Sequence, residues 1–251
     1  IPVDIANSEI AAHGDPGLLA TDDRGTAVAG MADAFAAFIA TQPGIAAIIG
    51  IGVGGGTSIV TAGMRRLAIG IPKLMVSTLA SGDTAPYVDI SDIVMMPAVA
   101  DLAGLNRISR QVLDRAAAAI VAMARAGAED GSGRPAIGLS MFGVTTIAVT
   151  QIAALLGDSV DAIPFHATGT GGRTMEALVD SGLLAGVIDI TTTEVADLLC
   201  GGVLSAGPGR LDAIARTGVP AVVSLGACDM VNFWARDTVP ARYADRLFYQ
   251  H

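Results

Sequence analysis

Six stretches of this sequence place glycine, serine or threonine directly after an apolar run. They are residues 52–58, 79–84, 141–146, 166–173, 191–194 and 226–230. Such junctions suit one kind of chemistry. Glycine lets the main chain approach a ligand closely and adopt positive φ. The free N–H groups at the start of a following helix, with the positive end of its dipole, attract phosphate. Hydroxyl groups add donors. The candidate binding residues are Gly54, Gly55, Gly56, Thr57 and Ser58 in the first turn and Ser81 and Gly82 in the second. Thr168, Gly169, Thr170, Gly171, Gly172 and Arg173 follow in the fourth, Thr192 in the fifth and Gly226 in the sixth. Any one of these turns is explained as well by a tight strand-to-helix connection. Six of them at the ends of expected strands favour a site for a phosphorylated small molecule, foremost a nucleotide.

Two turns differ in detail. Residues 50–55 match the G-x-G-x-x-G spacing of dinucleotide sites, but no Asp or Glu ends the next apolar run near 75–78 to hold a ribose. A nicotinamide cofactor is therefore disfavoured. No Lys precedes Thr57 and Ser58, so the turn is not a Walker loop either. The turn at 166–173 combines glycines and hydroxyls with one His and one Arg. Arg173, in the first turn of an expected helix, can pair with phosphate bidentately. Its plain alternative is an exposed helix arginine.

The candidate catalytic groups are His166, Asp189, Glu194, Cys228 and Asp229, all at expected strand ends. His166 is a candidate base or phosphate contact. The three carboxylates can hold Mg²⁺, contact ribose or act as bases, and Cys228 is a conceivable thiol nucleophile. Structural readings stand beside each: a hydrogen-bonded histidine for His166, and helix capping for Glu194 and Asp229. Residues 191–194 read as a capping box in several registers. Residues 138–143 miss the G-x-S-x-G nucleophile elbow by one position. No His/Cys or acidic cluster has metal-ligand spacing.

The elements that must position these groups follow from pattern and composition. The 251 residues are 52% apolar and only 4% aromatic, rich in the aliphatic side chains of buried parallel strands. Mean hydropathy is +0.58, yet no apolar run reaches the ~18–20 residues of a membrane span. Net charge is −9, from 15 basic and 24 acidic residues, with no basic stripe. Direct nucleic-acid binding and membrane binding are therefore not expected. Two cysteines without metal spacing, and no export signal, point to a reduced, cytoplasmic protein.

Helices are expected at 26–41, 57–67, 106–126, 144–156, 172–181, 193–199 and 211–216, with residues 1–25 as loop. Strands are expected at 45–51, 72–78, 90–96, 136–140, 161–165, 186–190 and 221–225. Alternation of short β runs with helical runs is the signature of βαβ units. The polar, glycine-rich residues 129–133 divide them. The fold expected is α/β, with two Rossmann-like subdomains at 1–133 and 134–251, mostly parallel sheets, and a ligand cleft between them.

Several longer strings belong together: Gly55-Gly56-Thr57-Ser58, Lys73-Leu74-Met75-Val76-Ser77-Thr78, residues 101–109, residues 165–173, Thr191-Thr192-Thr193-Glu194, residues 201–208 and Asp229-Met230-Val231-Asn232-Phe233. In these the chain resembles the uncharacterised family that includes the N-terminal, ATP-binding domain of the plant tobamovirus-resistance protein. The resemblance runs from about residue 45 to residue 251. It implies two Rossmann-like subdomains, ATP bound near their cleft, with or without Mg²⁺, and a homodimer. The plant member inhibits viral RNA replication through a specific partner surface, which is not expected to transfer. Family chains begin with a strand of the type V-G-T-x-D-T-K-G and continue into further C-terminal strands and helices. This sequence contains neither, so each subdomain is expected to be short of elements. Three functions stay open on this reading: ATP binding, catalysis on a phosphorylated or carboxylated metabolite, and a non-catalytic protein-binding or inhibitory module.

Overall fold

A computed structural model describes residues 5–15, 17–18, 21–126 and 133–248. The chain forms two compact units, Ile1–Glu129 and Asp130–His251. Of the expected boundary at 129–133, only Gly133 lies within the described residues.

The first unit runs α1 (Asn7–Ala11), α2 (Arg24–Ala40), β1 (Ile48–Gly52), α3 (Gly54–Met64), β2 (Lys73–Ser77), α4 (Ala85–Val88), β3 (Ile93–Pro97) and α5 (Arg107–Ala126). Its three strands pair in parallel, in the order β1-β2-β3. The central strand β2 is buried along its whole length. Side chains alternate across a strand, so Leu74 and Val76 pack on Val112, Ala116 and Ile120 of α5. Met75 joins Met64 of α3 and Ile93 in a separate cluster. The 4-residue spacing of Val112, Ala116 and Ile120 makes one helix face. Lys73 opens the buried strand with no exposure at all. Its ammonium meets Asp92 at 2.6 Å and donates to the carbonyls of Ala68 and Ile71 at 2.7 and 3.0 Å. All three donors of the ammonium are thereby used, which is what a buried lysine requires.

The second unit runs β4 (Ala136–Met141), α6 (Thr146–Leu156), β5 (Asp161–His166), α7 (Thr170–Asp180), β6 (Gly186–Asp189), α8 (Thr193–Cys200), α9 (Asp212–Thr217) and β7 (Ala221–Val223). Its four strands are all parallel, ordered β5-β4-β6-β7. Met175 and Val179 of α7, Val187 of β6, Leu184 and Ala213 form its core. The fold is thus α/β with two parallel sheets, each of Rossmann-like build. Among the described residues, no helix is long and apolar enough to cross a membrane.

Two departures from the expected elements matter. Residues 1–25, expected as loop, contain the short helix α1. And α3 and α7 begin at Gly54 and Thr170, three and two residues earlier than expected. The glycines assigned to the turns are therefore themselves the first helical residues, and their N–H groups are helix-terminal donors.

Candidate functional site

In open parallel sheets, ligands bind beyond the carboxyl ends of the strands. Each unit carries a glycine-rich helix start at that edge, and the two starts are in opposite states.

In the first unit, β1 ends at Gly52 and Val53 is the N-cap of α3, with no side-chain cap. Gly54, Gly55 and Gly56 are the first three helical residues. The first bond along the helix runs from Thr57 N–H to the Val53 carbonyl, at 2.8 Å. The three glycine N–H groups precede it, and such groups have no acceptor within a helix. A Cβ at Gly54 or Gly56 would meet nothing within 4 Å, and neither residue has positive φ. Packing does not require glycine there. At Gly52 it does: a Cβ would come within 2.9 Å of the main chain of Gly56 and Thr57. At Gly55 a Cβ would press on Val28 at 3.0 Å.

The hydroxyls expected to join this site are turned elsewhere. Thr57 is fully buried, and its Oγ1 lies 2.7 Å from Ser77 Oγ and 3.1 Å from the Val53 carbonyl. Ser58 Oγ donates back to the Gly54 carbonyl. Both therefore tie the helix to its own frame. Ser81 lines a cavity of about 510 Å³ with Val53, Thr78, Val99, Ala100 and Asp101. Gly82 is not one of its lining residues; its N–H closes a turn on the Leu79 carbonyl. Val99 has φ +65° and is 77% exposed. The Ala100 N–H reaches the Ala98 carbonyl across it at 2.7 Å, which makes a γ-turn of the strained, positive-φ kind.

In the second unit the corresponding position is filled from within. Gly169 caps α7 with φ +86°. Its N–H and that of Gly172 both donate to Glu194 Oε1, at 2.6 and 3.1 Å. The carboxylate of Glu194 thus occupies the place at the helix N-terminus that an anionic ligand would take. Gly172 is required by this arrangement, since a Cβ there would lie 2.0 Å from Glu194 Oε2. That second oxygen accepts from Arg210 Nε at 2.7 Å. Arg210 also reaches Asp189 through both terminal nitrogens, and Glu176 at 3.4 Å. Asp189 accepts a further bond from Ser140 Oγ at 2.6 Å. Burial works against the charge of Arg210. The hydrogen bonds and charges of Asp189 and Glu194 together outweigh it, and the guanidinium is held more firmly protonated than an ordinary arginine.

Two of the candidate catalytic residues, Asp189 and Glu194, are fully buried and paired with Arg210, and through it they tie together the sheet edge. The capping-box reading of residues 191–194 fails. Thr192 is the N-cap of α8 without a side-chain cap, and Glu194 serves α7 instead. Thr191 Oγ1 donates to the Ser140 carbonyl and lies 2.7 Å from Thr145 Oγ1. Thr192 Oγ1 donates to the Ser224 carbonyl and touches Cys228 Sγ at 2.9 Å. Thr193 Oγ1 accepts from Asn232. These hydroxyls join the strand ends to one another. Gly226 is there for close approach, since a Cβ would lie 1.9 Å from the Ile190 carbonyl oxygen.

The remaining candidates are scattered. His166 is exposed, with its ring 5.4 Å from that of Phe142. Thr168 Oγ1 bonds the His166 carbonyl at 3.3 Å, and a Cβ at Gly171 would sit 1.9 Å from that same oxygen. Thr170 is exposed, while Arg173 is half-buried and engaged within the chain. Cys228 is half-buried. Asp229 is exposed at a different cavity of about 930 Å³, beside Phe233, Trp234, Arg236 and Phe248. Among the described residues, no group of three or more His, Cys, Asp or Glu could hold a metal ion. Sequence reasoning missed Arg210. The available signal was indirect: a carboxylate closing the apolar run 186–189 needs a buried cation, but not one at any fixed spacing.

The architecture defines an α/β protein of two parallel-sheet units whose first unit carries an open, glycine-rich helix start. The chain belongs to the uncharacterised protein family UPF0261. The model of its N-terminal domain matches residues 1–129, and that of its C-terminal domain residues 134–251. A UPF0261 protein of Mesorhizobium japonicum is 64% identical over 254 residues, covering 100% of this chain and 64% of the relative. One from Clostridium tetani is 47% identical, covering 93% of this chain and 59% of its own length. The tomato (Solanum lycopersicum) ToMV resistance protein Tm-1 is 42% identical over 240 residues, 92% of this chain and 32% of the tomato protein. The chain therefore spans just under two thirds of these bacterial relatives and about a third of the tomato one.

Proposed function

We propose that the first unit binds a nucleotide, ATP, with its phosphates on the N–H groups of Gly54, Gly55 and Gly56. The observation that carries this reading is the pair Gly54 and Gly56. Glycine costs roughly 1 kcal/mol in a helix relative to alanine, and neither residue is required here by φ or by neighbours. What a side chain at these positions would obstruct is an object approaching from outside. Three helix-terminal N–H groups, for which the helix itself holds no acceptor, and a helix dipole select an anion as that object. The cavity lined by Val53, Thr78, Ser81, Val99, Ala100 and Asp101 adds room for the rest of a nucleotide. In the second unit the N–H groups of Gly169 and Gly172 already hold Glu194, which argues against that helix start as the phosphate site.

Calorimetric titration of ATP, with and without Mg²⁺, tests the reading. Saturable binding in wild type, lost in Gly54→Asp and kept in Thr170→Ala at the exposed start of the second unit's helix, is expected. Absence of heat at millimolar ATP, or binding unaffected by Gly54→Asp, refutes it. Virus resistance forms no part of the proposal. The tomato ToMV susceptible protein tm-1 is 43% identical to this chain and the resistance protein 42%, so kinship to this chain does not separate the two.

A further inference from the structure

The cavity beside the glycine turn is lined by residues that suit more than a phosphate. We infer that Asp101 reads the ribose hydroxyls of a nucleotide held there, an inference that rests on the nucleotide reading above. Of the six lining residues, Asp101 alone is charged, and it is an acid. A carboxylate repels phosphate groups, so it cannot be their partner. Ionised, it only accepts hydrogen bonds, and the donors a nucleotide offers in pairs are the two hydroxyls of its ribose. One carboxylate oxygen, Oδ1, accepts the N–H of Leu102 at 2.8 Å. That bond restrains the rotation of the group and leaves Oδ2 and a further lone pair for a diol. Val53, Val99 and Ala100 supply apolar wall, with Val99 held outward on its γ-turn. Thr78 and Ser81 supply hydroxyls.

The alternative use of an acid at a nucleotide site is to hold Mg²⁺. One carboxylate can carry Mg²⁺ jointly with phosphates; Asp101 is the single carboxylate among the lining residues, and the Mg²⁺ dependence of binding separates the two uses. The ligand class that follows is a ribonucleoside 5′-phosphate with free 2′ and 3′ hydroxyls. Cofactors phosphorylated on those hydroxyls would bring like charge against Asp101 and are rejected.

The test titrates the intact protein with ATP, 2′-deoxyATP, 3′-deoxyATP and inorganic tripolyphosphate, in wild type and Asp101→Asn. Asn keeps an acceptor for Leu102, and the wild-type comparison stands even if the variant folds poorly. Wild type is expected to bind ATP about tenfold more tightly than either deoxynucleotide, the size of effect for a hydrogen bond to a charged acceptor, and Asp101→Asn to narrow the gap to about twofold. Equal wild-type affinity for ATP and both deoxynucleotides overturns the ribose role and leaves nucleotide binding standing. A variant that loses Mg²⁺ dependence but keeps ribose discrimination also overturns it, since the carboxylate then holds metal. No binding of ATP in wild type overturns both readings.

Discussion

Arg210 closes on Asp189 through two hydrogen bonds, Nη1 to Oδ2 at 2.5 Å and Nη2 to Oδ1 at 2.9 Å, while its Nε reaches Glu194 Oε2 at 2.7 Å. One planar guanidinium thereby serves the end of β6 and the start of α8, and through Glu194 the start of α7. Taking charged groups out of water costs several kcal/mol per ion, and only near-ideal geometry offsets it. Arg210→Met is expected to destabilise the second unit by about 3–5 kcal/mol, because Asp189 and Glu194 are left buried without a cation. Arg210→Lys should recover little, since an ammonium cannot reproduce the fork. Urea unfolding followed by circular dichroism measures both, and an unshifted midpoint for Arg210→Met contradicts the assignment.

The glycines of the two helix starts should respond in opposite ways. Gly54→Ala and Gly56→Ala should leave stability unchanged or raise it by about 0.5–1 kcal/mol each, because a Cβ there meets open space. The same changes should weaken ATP binding. Gly171→Ala should destabilise by roughly 1–3 kcal/mol, since its Cβ meets the main-chain oxygen of His166. Thermal unfolding paired with calorimetry separates the cases. Gly54→Ala losing stability while keeping ATP affinity would reverse the argument.

Val99 has a β-branched side chain at φ +65°, a conformation that costs about 1–3 kcal/mol. Val99→Gly removes that strain at the expense of a more flexible unfolded chain, for a net gain of about 1 kcal/mol. It also removes apolar wall from the cavity. A higher melting temperature together with weaker nucleotide binding is the expected pair of results. A lower melting temperature would show that the backbone is relaxed with valine in place.

Asp23 caps α2 by accepting Thr26 N–H at 2.7 Å and Thr26 Oγ1 at 2.6 Å. The bond from the Thr26 side chain, then that from its main chain, holds the carboxyl below the usual aspartate range. A depressed folded-state pKa stabilises the fold above the ordinary value of 3.8, and the contribution is lost as pH falls through the lowered one. The protection of the Thr26 amide, relative to its intrinsic exchange rate at the same pH, should therefore fall in acid below pH 3.8, and much less so in Asp23→Asn, whose neutral cap does not titrate. An Asp23 midpoint at or above the ordinary value in a carboxyl NMR titration would contradict this.

The sequence alone determined the α/β alternation, the parallel strands and the glycine- and hydroxyl-rich turns at their ends. Those features are written in local pattern: aliphatic runs of strand length, helical periodicity, and turn residues between. The apolar run 72–78 predicts a strand by itself, and the observed strand Lys73–Ser77 within it is buried along its whole length. Which turn stands open was decided by tertiary structure. In sequence both Gly54–Gly56 and Gly169–Gly172 suit phosphate, and the second, with His166 and Arg173 beside it, carries more chemical detail. They differ because Glu194, 22 to 25 positions away in the chain, fills one of them, and because Arg210, 16 positions further on, makes that burial tolerable. A carboxylate and a guanidinium so far apart in sequence leave no periodic trace. Their pairing exists only once parallel strands bring the ends of β6, α7 and α8 to one edge.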